Sequence, residues 1–288
     1  MRTRRAVASG VVWAAFWVFA APSDAKPPQP PAATVPDIKL VNPTIFCVDF
    51  DRSFDISTHR NLLEGLASNP YNGELRKALY TQDPYHQFQS KAHFDNCDFD
   101  DATAYVSEML EDAGRFVDVA TKAKAAQDSA AMKKAVLSAF FSLGQALHGT
   151  QDFYAHTNYV ELQVPKVDKV TDIELIFPWR PEGRARIKEL RASGLVSGAV
   201  SWGFPKDCPD GTPSHASLNK DSANTKSGKV FVARLQNLSR YRIAVYLARE
   251  SSLQLLNDAF KKWPLLKEVN GAGVAVDVIV DRRGADKP

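Results

Sequence analysis

The chain has 288 residues, of which 44% are hydrophobic and 24% charged, an ordinary globular composition that excludes a collagen-like, disordered or multi-spanning protein. Its formal net charge is +3, and basic residues are interleaved with acidic ones along the predicted helices. A protein that binds nucleic acid by charge carries a basic stripe instead, so nucleic acid is the less favoured partner.

The N-terminus has the three parts of a secretory signal peptide. Arginines at positions 2, 4 and 5 precede an apolar run over 11–21, and small residues at 23 and 25 suit cleavage. That run is much shorter than the roughly 20 residues that cross a bilayer. The sequence therefore predicts a secreted or periplasmic protein that loses residues 1–25.

Composition divides the rest of the chain into three parts. A proline-rich linker follows over residues 26–40, and such a segment is extended. A single helical domain is predicted over 41–270, and a C-terminal tail over 271–288 with one strand at 274–280.

Within that domain, helices are predicted wherever apolar residues recur at intervals of three and four. These stretches are 58–66, 101–127, 129–162, 181–191 and 230–263. Turn signals at Asn-Pro, Asn-Gly and Asp-Pro pairs predict a loop over 71–100 with at most a short helix at 74–80. The fold class is mainly α.

Three cysteines, Cys47, Cys97 and Cys208, allow three disulfide pairings in an oxidising compartment. Pairing of Cys97 with Cys208 is favoured, because each lies near a candidate metal ligand. Three unpaired buried cysteines are the alternative.

The strongest functional signal is LGQALHGTQDFYAHTNYVEL, in which His148, Asp152 and His156 recur every four residues. On a helix this spacing places the three side chains on one face. Imidazole and carboxylate together favour zinc or a related divalent ion. A buried network of His–Asp hydrogen bonds is the alternative.

Further histidines and carboxylates are spread along the chain, each in a different predicted element. They are His59, Asp83, His93, Asp95 and His215. Read singly they are weak signals, but a metal cluster is often assembled from such distant ligands.

The run ALHGTQDFYAHTNYVEL, with the upstream TH and HFDN and the downstream HASLNKD, resembles the Het-C (heterokaryon-incompatibility) family. More remotely it resembles the zinc-dependent phospholipases C and single-strand-specific zinc nucleases of the same superfamily. The resemblance implies a helical bundle of the phospholipase C type with ligand-bearing loops. It also implies two or three Zn²⁺ ions acting on a phosphodiester.

The resemblance also assigns roles to individual residues. It implies that His59, His93, His148, His156 and His215 are metal ligands. It further implies that Asp152 is a bridging carboxylate and that Asp83 precedes the HF-D loop as a ligand.

The sequence departs from the phospholipase and nuclease pattern at three points. Those enzymes use an N-terminal tryptophan as a ligand, whereas cleavage here leaves Lys26 or a neighbour. The second histidine of their central motif lies two residues further from the aspartate. No glutamate follows His215 four residues later, so Glu161 or Asp221 is expected to take that position.

These observations predict a secreted zinc phosphodiesterase. Its partner would be a phospholipid head group or another phosphodiester, and Asp83 or Asp95 would orient the attacking water or act as general base. A single-strand nuclease and a non-catalytic, metal-stabilised Het-C-like recognition protein are the alternatives. Peripheral membrane contact through the basic helix at 230–263 is a third interpretation. The oligomeric state stays open.

Overall fold

A computed structural model of the chain describes residues 56–63, 66–67, 71–204 and 206–270. They belong to one compact unit, Asn42–Pro288. The predicted signal peptide, the linker, Cys47 and the strand at 274–280 lie outside the described residues, so these features stay predictions, as do the predicted domain limits.

The described residues are mainly α-helical, which confirms the predicted fold class. The helices are α1 (Ile56–Leu62), α2 (Tyr71–His86), α3 (Ser90–His93), α4 (Phe99–Ala125), α5 (Ser129–His156), α6 (Tyr159–Gln163), α7 (Pro181–Ala192), α8 (His215–Leu218), α9 (Arg240–Lys262) and α10 (Pro264–Asn270). Two short strands, β1 (Phe231–Val232) and β2 (Leu238–Ser239), pair antiparallel. No helix within this part of the chain is both long and apolar enough to cross a membrane.

Helix α5 is the centre of the fold, because it packs against α2, α4 and α9. The side chain of Asp128 caps its start by accepting a hydrogen bond from the Ala131 N–H at 2.9 Å. Every residue over 146–156 is buried, as expected for a helix surrounded by others. The last turns of α5 therefore carry His148, Asp152 and His156 inside the protein.

The prediction of a loop over 71–100 is wrong for its first half, because α2 extends to His86 and contains Pro84. Proline near the end of a helix removes only one of the last backbone hydrogen bonds. Packing of Leu75 and Ala78 against α5 outweighs the local turn signals. Gly144 permits this contact, since a Cβ there would lie 2.6 Å from that of Ala78.

Two predicted helices are shorter than their apolar spacing indicates. Helix α5 ends at His156 because Thr157 is extended (φ −98°, ψ 164°), and α6 begins separately. Helix α9 begins only at Arg240, where the side chain of Ser239 accepts from the Arg242 N–H at 3.2 Å. Residues before it form the β1–β2 hairpin instead.

Candidate metal centre

The His–Asp–His series of α5 lies on one face, as its spacing predicts. Nε2 of His148 is 2.9 Å from Oδ2 of Asp152, and Nε2 of His156 is 3.9 Å from Oδ1. All three side chains are fully buried. A carboxylate is thus held between two imidazoles in the core.

Three further elements bring side chains to Asp152. His93, the last residue of α3, places Nδ1 3.0 Å from Oδ2 of Asp152 and 3.1 Å from Nε2 of His148. His59 of α1 places Nε2 3.2 Å from the other carboxylate oxygen. Oδ1 of Asp83, near the end of α2, is 3.5 Å from Nε2 of His148. Both oxygens of Asp152 therefore face nitrogen donors from different elements.

A second group of donors surrounds His156. Nδ1 of His215, at the start of α8, is 2.9 Å from Oδ1 of Asp95. Asp221 faces both rings, since its oxygens lie 3.2 Å from Nε2 of His156 and 3.5 Å from Nε2 of His215. Asp221 was predicted only as one of two replacements for a glutamate, and the structure places it here.

The loop between α3 and α4, which carries Asp95, has an unusual backbone conformation. Phe94, Asn96 and Cys97 have φ angles of 53°, 54° and 60°, a left-handed conformation that costs energy for residues other than glycine. Asn96 holds the loop in place by donating to the Ser90 hydroxyl and the Gly203 carbonyl, both at 2.9 Å. Such strain beside a polar cluster is typical of a functional site.

The disulfide between Cys97 and Cys208 confirms the favoured pairing. It joins the loop that carries Asp95 to the segment that leads to His215. Gly198 adds a second link, because its N–H donates to the carbonyl of His156 and its own carbonyl accepts from Asn96, each at 3.0 Å. The donors of the second group are thus fixed by covalent and backbone contacts.

Hydrogen bonds to the far side of two rings determine which nitrogen faces the cluster. Oε1 of Gln151 accepts from Nδ1 of His59 at 2.6 Å, and the Gln151 amide donates to Ser252. The His93 carbonyl accepts from Nδ1 of His156 at 2.8 Å. In both rings Nε2 is then the nitrogen that faces the carboxylates, and a deprotonated Nε2 is the atom through which a histidine held in this way binds a metal.

The carboxylates of the cluster stabilise the protonated form of two histidines. Burial disfavours imidazolium, but Asp152, Asp95 and Asp221 outweigh it and raise the pKa of His156 to about 9. The pKa of His215 also lies well above its usual value, because Asp95 and Asp221 outweigh burial. Burial would raise the pKa of Asp152, yet neighbouring imidazoles, His148 first, hold it well below its usual range.

The donor atoms fit a metal ion. Three sets, each with donor atoms within 4.8 Å of one another, could hold an ion: His59–His148–Asp152, Asp83–His93–His148 and Asp95–His156–His215. Separations near 3.0 Å approach the roughly 3.3 Å between ligands of a tetrahedral ion bound at about 2.0–2.1 Å. Among the described residues, Nε2 of His156 and both Asp221 oxygens are buried yet form no well-aligned hydrogen bond. Such atoms are expected where a cation belongs.

One predicted ligand lies elsewhere in the structure. Glu161 contacts Ser227, Arg240 and the fully buried Lys220. The ammonium of Lys220 also donates to the carbonyls of Thr157 and Leu218, and so joins the residue that follows α5 to the segment before Asp221. The structure brings together the other eight predicted site residues, whose roles as metal ligands or, for Asp83 and Asp95, as catalytic groups stay predictions.

Sequence reasoning did not identify Gln151, Asn96, Gly198 or Lys220. Gln151 precedes Asp152 directly and could have been recognised as a polar residue next to a predicted ligand. The other three carry no chemical signature, since each acts through its backbone or through contacts with distant segments.

Comparison with known proteins agrees with part of the sequence resemblance. The family described as heterokaryon incompatibility protein Het-C matches residues 91–178, which include His93, Asp95, His148, Asp152 and His156. Neither a curated protein nor a solved structure was found to match the chain. The remoter link to zinc phospholipases and nucleases therefore stays a prediction.

Proposed function

We propose that this protein is a secreted zinc-dependent phosphodiesterase, with a phospholipid head group as its favoured substrate. The proposal rests on the position of the Asp152 carboxylate. Its Oδ2 faces His93 and His148, and its Oδ1 faces His59. A carboxylate that meets nitrogen donors at both oxygens is suited to bridge two ions.

The donor set favours zinc among divalent ions. Neutral imidazole nitrogen combined with carboxylate oxygen is its ordinary environment, whereas calcium and magnesium prefer oxygen alone. When bound, zinc lowers the pKa of water toward neutrality and withdraws charge from phosphate oxygens.

The protein's own residues have separate tasks in this proposal. Gln151 and the His93 carbonyl orient the imidazoles, while Asp95 holds His215. Asp83 and Asp95 are the most exposed of the cluster carboxylates, with 16% and 10% of their side chains accessible. This exposure supports a role for them in contacting the incoming phosphodiester or an attacking water, as a general base must.

A second function, a metal-stabilised recognition protein without catalysis, is favoured by the location of the clefts. Two surface clefts of about 700 and 450 Å³ lie beside α7, and none of the cluster residues lines them. Catalytic sites usually occupy such clefts. A closed cluster in the core is also what a structural metal site requires.

Metal content and hydrolysis distinguish the two functions. Zinc per chain is measured by mass spectrometry in the mature protein, in Asp152→Asn and in His86→Gln. Hydrolysis is followed on bis(p-nitrophenyl) phosphate, a short-chain phosphatidylcholine and single-stranded DNA. His86 is the matched control, because it is the one histidine of six that lies outside the three donor sets.

The enzyme proposal expects two or three zinc ions in the wild type and in His86→Gln, with metal and hydrolysis both lost in Asp152→Asn. Zinc without hydrolysis of any substrate would favour the recognition protein. Wild-type protein without bound metal would overturn both, and preferential cleavage of DNA would replace the lipid substrate.

A further inference from the structure

Lys220 is the only lysine or arginine that is fully buried in the part of the chain that the structure describes. Burying an ammonium is costly unless each of its N–H groups has a partner. An ammonium has three such donors, and three acceptors surround this one. They are the carbonyl oxygens of Thr157 at 2.7 Å and Leu218 at 2.9 Å, and the carboxylate of Glu161 at 3.4 Å. The ammonium is therefore fully paired.

The backbone of Lys220 contacts the same end of α5 as its side chain does. The Lys220 N–H donates to the carbonyl of Ala155 at 3.0 Å, so this one residue binds the carbonyls on both sides of His156. The carbonyl of His156 itself accepts from the Gly198 N–H, also at 3.0 Å. Carbonyls at the C-terminus of a helix have no partner within the helix, and a cation is favoured beside them. Lys220 thus fixes the end of α5 against the segment that leads to Asp221.

The contacts of Lys220 determine the spacing of two donors in the second group, His156 and Asp221. Asp221 directly follows Lys220, and its Oδ1 is 3.2 Å from Nε2 of His156. Among the described residues, neither that nitrogen nor either carboxylate oxygen of Asp221 forms a well-aligned hydrogen bond. The two donor atoms are therefore not held by each other. Their spacing depends on the backbone contacts of the segments that carry them.

We propose that Lys220 is a positioning residue, which holds His156 and Asp221 at the spacing that a metal ion needs. This inference rests on the proposed function, and it adds a residue that acts through the donors without being one of them. The alternative is that the ion pair between Lys220 and Glu161 only stabilises the fold. The two roles differ in one measurable respect, because only a positioning residue changes the metal affinity independently of the stability.

Two variants of the mature chain separate positioning from stability. Lys220→Met keeps the length of the side chain and removes the ammonium, but it leaves the carboxylate of Glu161 without its cation. Lys220→Met with Glu161→Gln removes both charges and keeps the net charge of the protein. The new glutamine can still accept from the Ser227 hydroxyl, which donates to Glu161 at 2.5 Å in the wild type.

Asp258→Asn is the matched control, because it breaks another ion pair between distant segments. Asp258 accepts from Trp179 and Arg180 at 2.9 and 2.8 Å, and neither belongs to the metal centre. Zinc per chain is measured for each protein over a series of buffered free-zinc concentrations. Urea titration gives the free energy of unfolding without metal, and hydrolysis of bis(p-nitrophenyl) phosphate is followed in parallel.

We expect one zinc ion to bind about 10- to 100-fold more weakly in both Lys220 variants, as when a group that orients a ligand is lost. The other ions should bind as they do in the wild type. The double variant should be more stable than Lys220→Met, because it leaves no unpaired carboxylate, yet its zinc affinity should stay equally low. Asp258→Asn should lose stability and bind zinc as the wild type does.

Recovery of the wild-type zinc affinity in the double variant would overturn the proposal, since the affinity would then follow the stability. So would unchanged affinity in that variant when Lys220→Met does not fold. If the Lys220 variants bind one ion more weakly and the wild type cleaves no phosphodiester, the positioning role stands and the phosphodiesterase proposal fails. If the wild type cleaves its substrate and the Lys220 variants bind zinc normally, the opposite holds.

Discussion

Gln151 accepts a hydrogen bond from Nδ1 of His59 across 92 residues of sequence, at 2.6 Å. This contact leaves Nε2 of His59 to face Asp152, whose carboxylate is 3.2 Å away. Because Gln151 directly precedes Asp152 on α5, one helix supplies both a carboxylate of the cluster and the group that orients a ring opposite it.

Replacing Gln151 with methionine keeps its length and removes the acceptor. We expect metal affinity to fall about 10- to 100-fold, since groups that orient a ligating ring contribute that much. Competition with a chelator during a zinc titration measures the change. Ser252→Ala is the control, because it removes only the second partner of Gln151. Unchanged affinity in Gln151→Met would contradict the orienting role.

The contact between α2 and α5 can be tested with two glycines. A Cβ at Gly144 would lie 2.6 Å from Cβ of Ala78 and 2.8 Å from the carbonyl oxygen of Leu75, whereas one at Gly73 meets nothing within 4 Å. We expect Gly144→Ala to lower the free energy of unfolding by about 1–3 kcal/mol. Gly73→Ala should raise it by about 0.5–1 kcal/mol, because Gly73 lies within α2. Denaturant titration measures both.

The contrast between these glycines shows what the sequence could predict. The apolar periodicity of the sequence predicted the limits of α4 and α7 to within two residues. The four-residue spacing on α5 correctly predicted that His148, Asp152 and His156 share one face of the helix. Periodicity could not show that α2 extends through Pro84, because packing across Gly144 overrides the turn signals. The roles of Lys220 and Gly198 could not be predicted from the sequence either, since their contacts join segments far apart in the chain.

The disulfide between Cys97 and Cys208 closes a long loop, with a sequence separation of 111 residues. Replacing both cysteines with serine should lower the free energy of unfolding by about 2–5 kcal/mol. It should also weaken metal binding at Asp95, His156 and His215 more than at the other two donor sets. Thermal unfolding and zinc content measure these effects. Tris(2-carboxyethyl)phosphine, a reductant without thiol groups, should reproduce them in the wild type and change nothing further in the double variant; sensitivity of that variant to the reductant would point to another disulfide.

The carboxyl group of Asp98, which is not one of the metal donors, makes the free energy of unfolding depend on pH. Burial, with Asp101 and Asp207 nearby, raises its pKa from 3.8 to about 6. Between these two values the folded protein binds more protons at this site than the unfolded chain does, so stability falls as pH rises through this window. Above pH 6 the buried carboxylate is charged, and one of its oxygens has no hydrogen-bond partner.

Asp98→Asn removes this charge at the residue that precedes α4, a position where asparagine is as favourable as aspartate. We therefore expect the variant to be more stable than the wild type by about 1 kcal/mol at pH 7.5 and equal to it at pH 4. Urea titrations at both pH values measure the difference. A variant less stable than the wild type at pH 7.5 would show that the carboxylate of Asp98 stabilises the fold in its charged form, and that its environment does not favour the neutral acid.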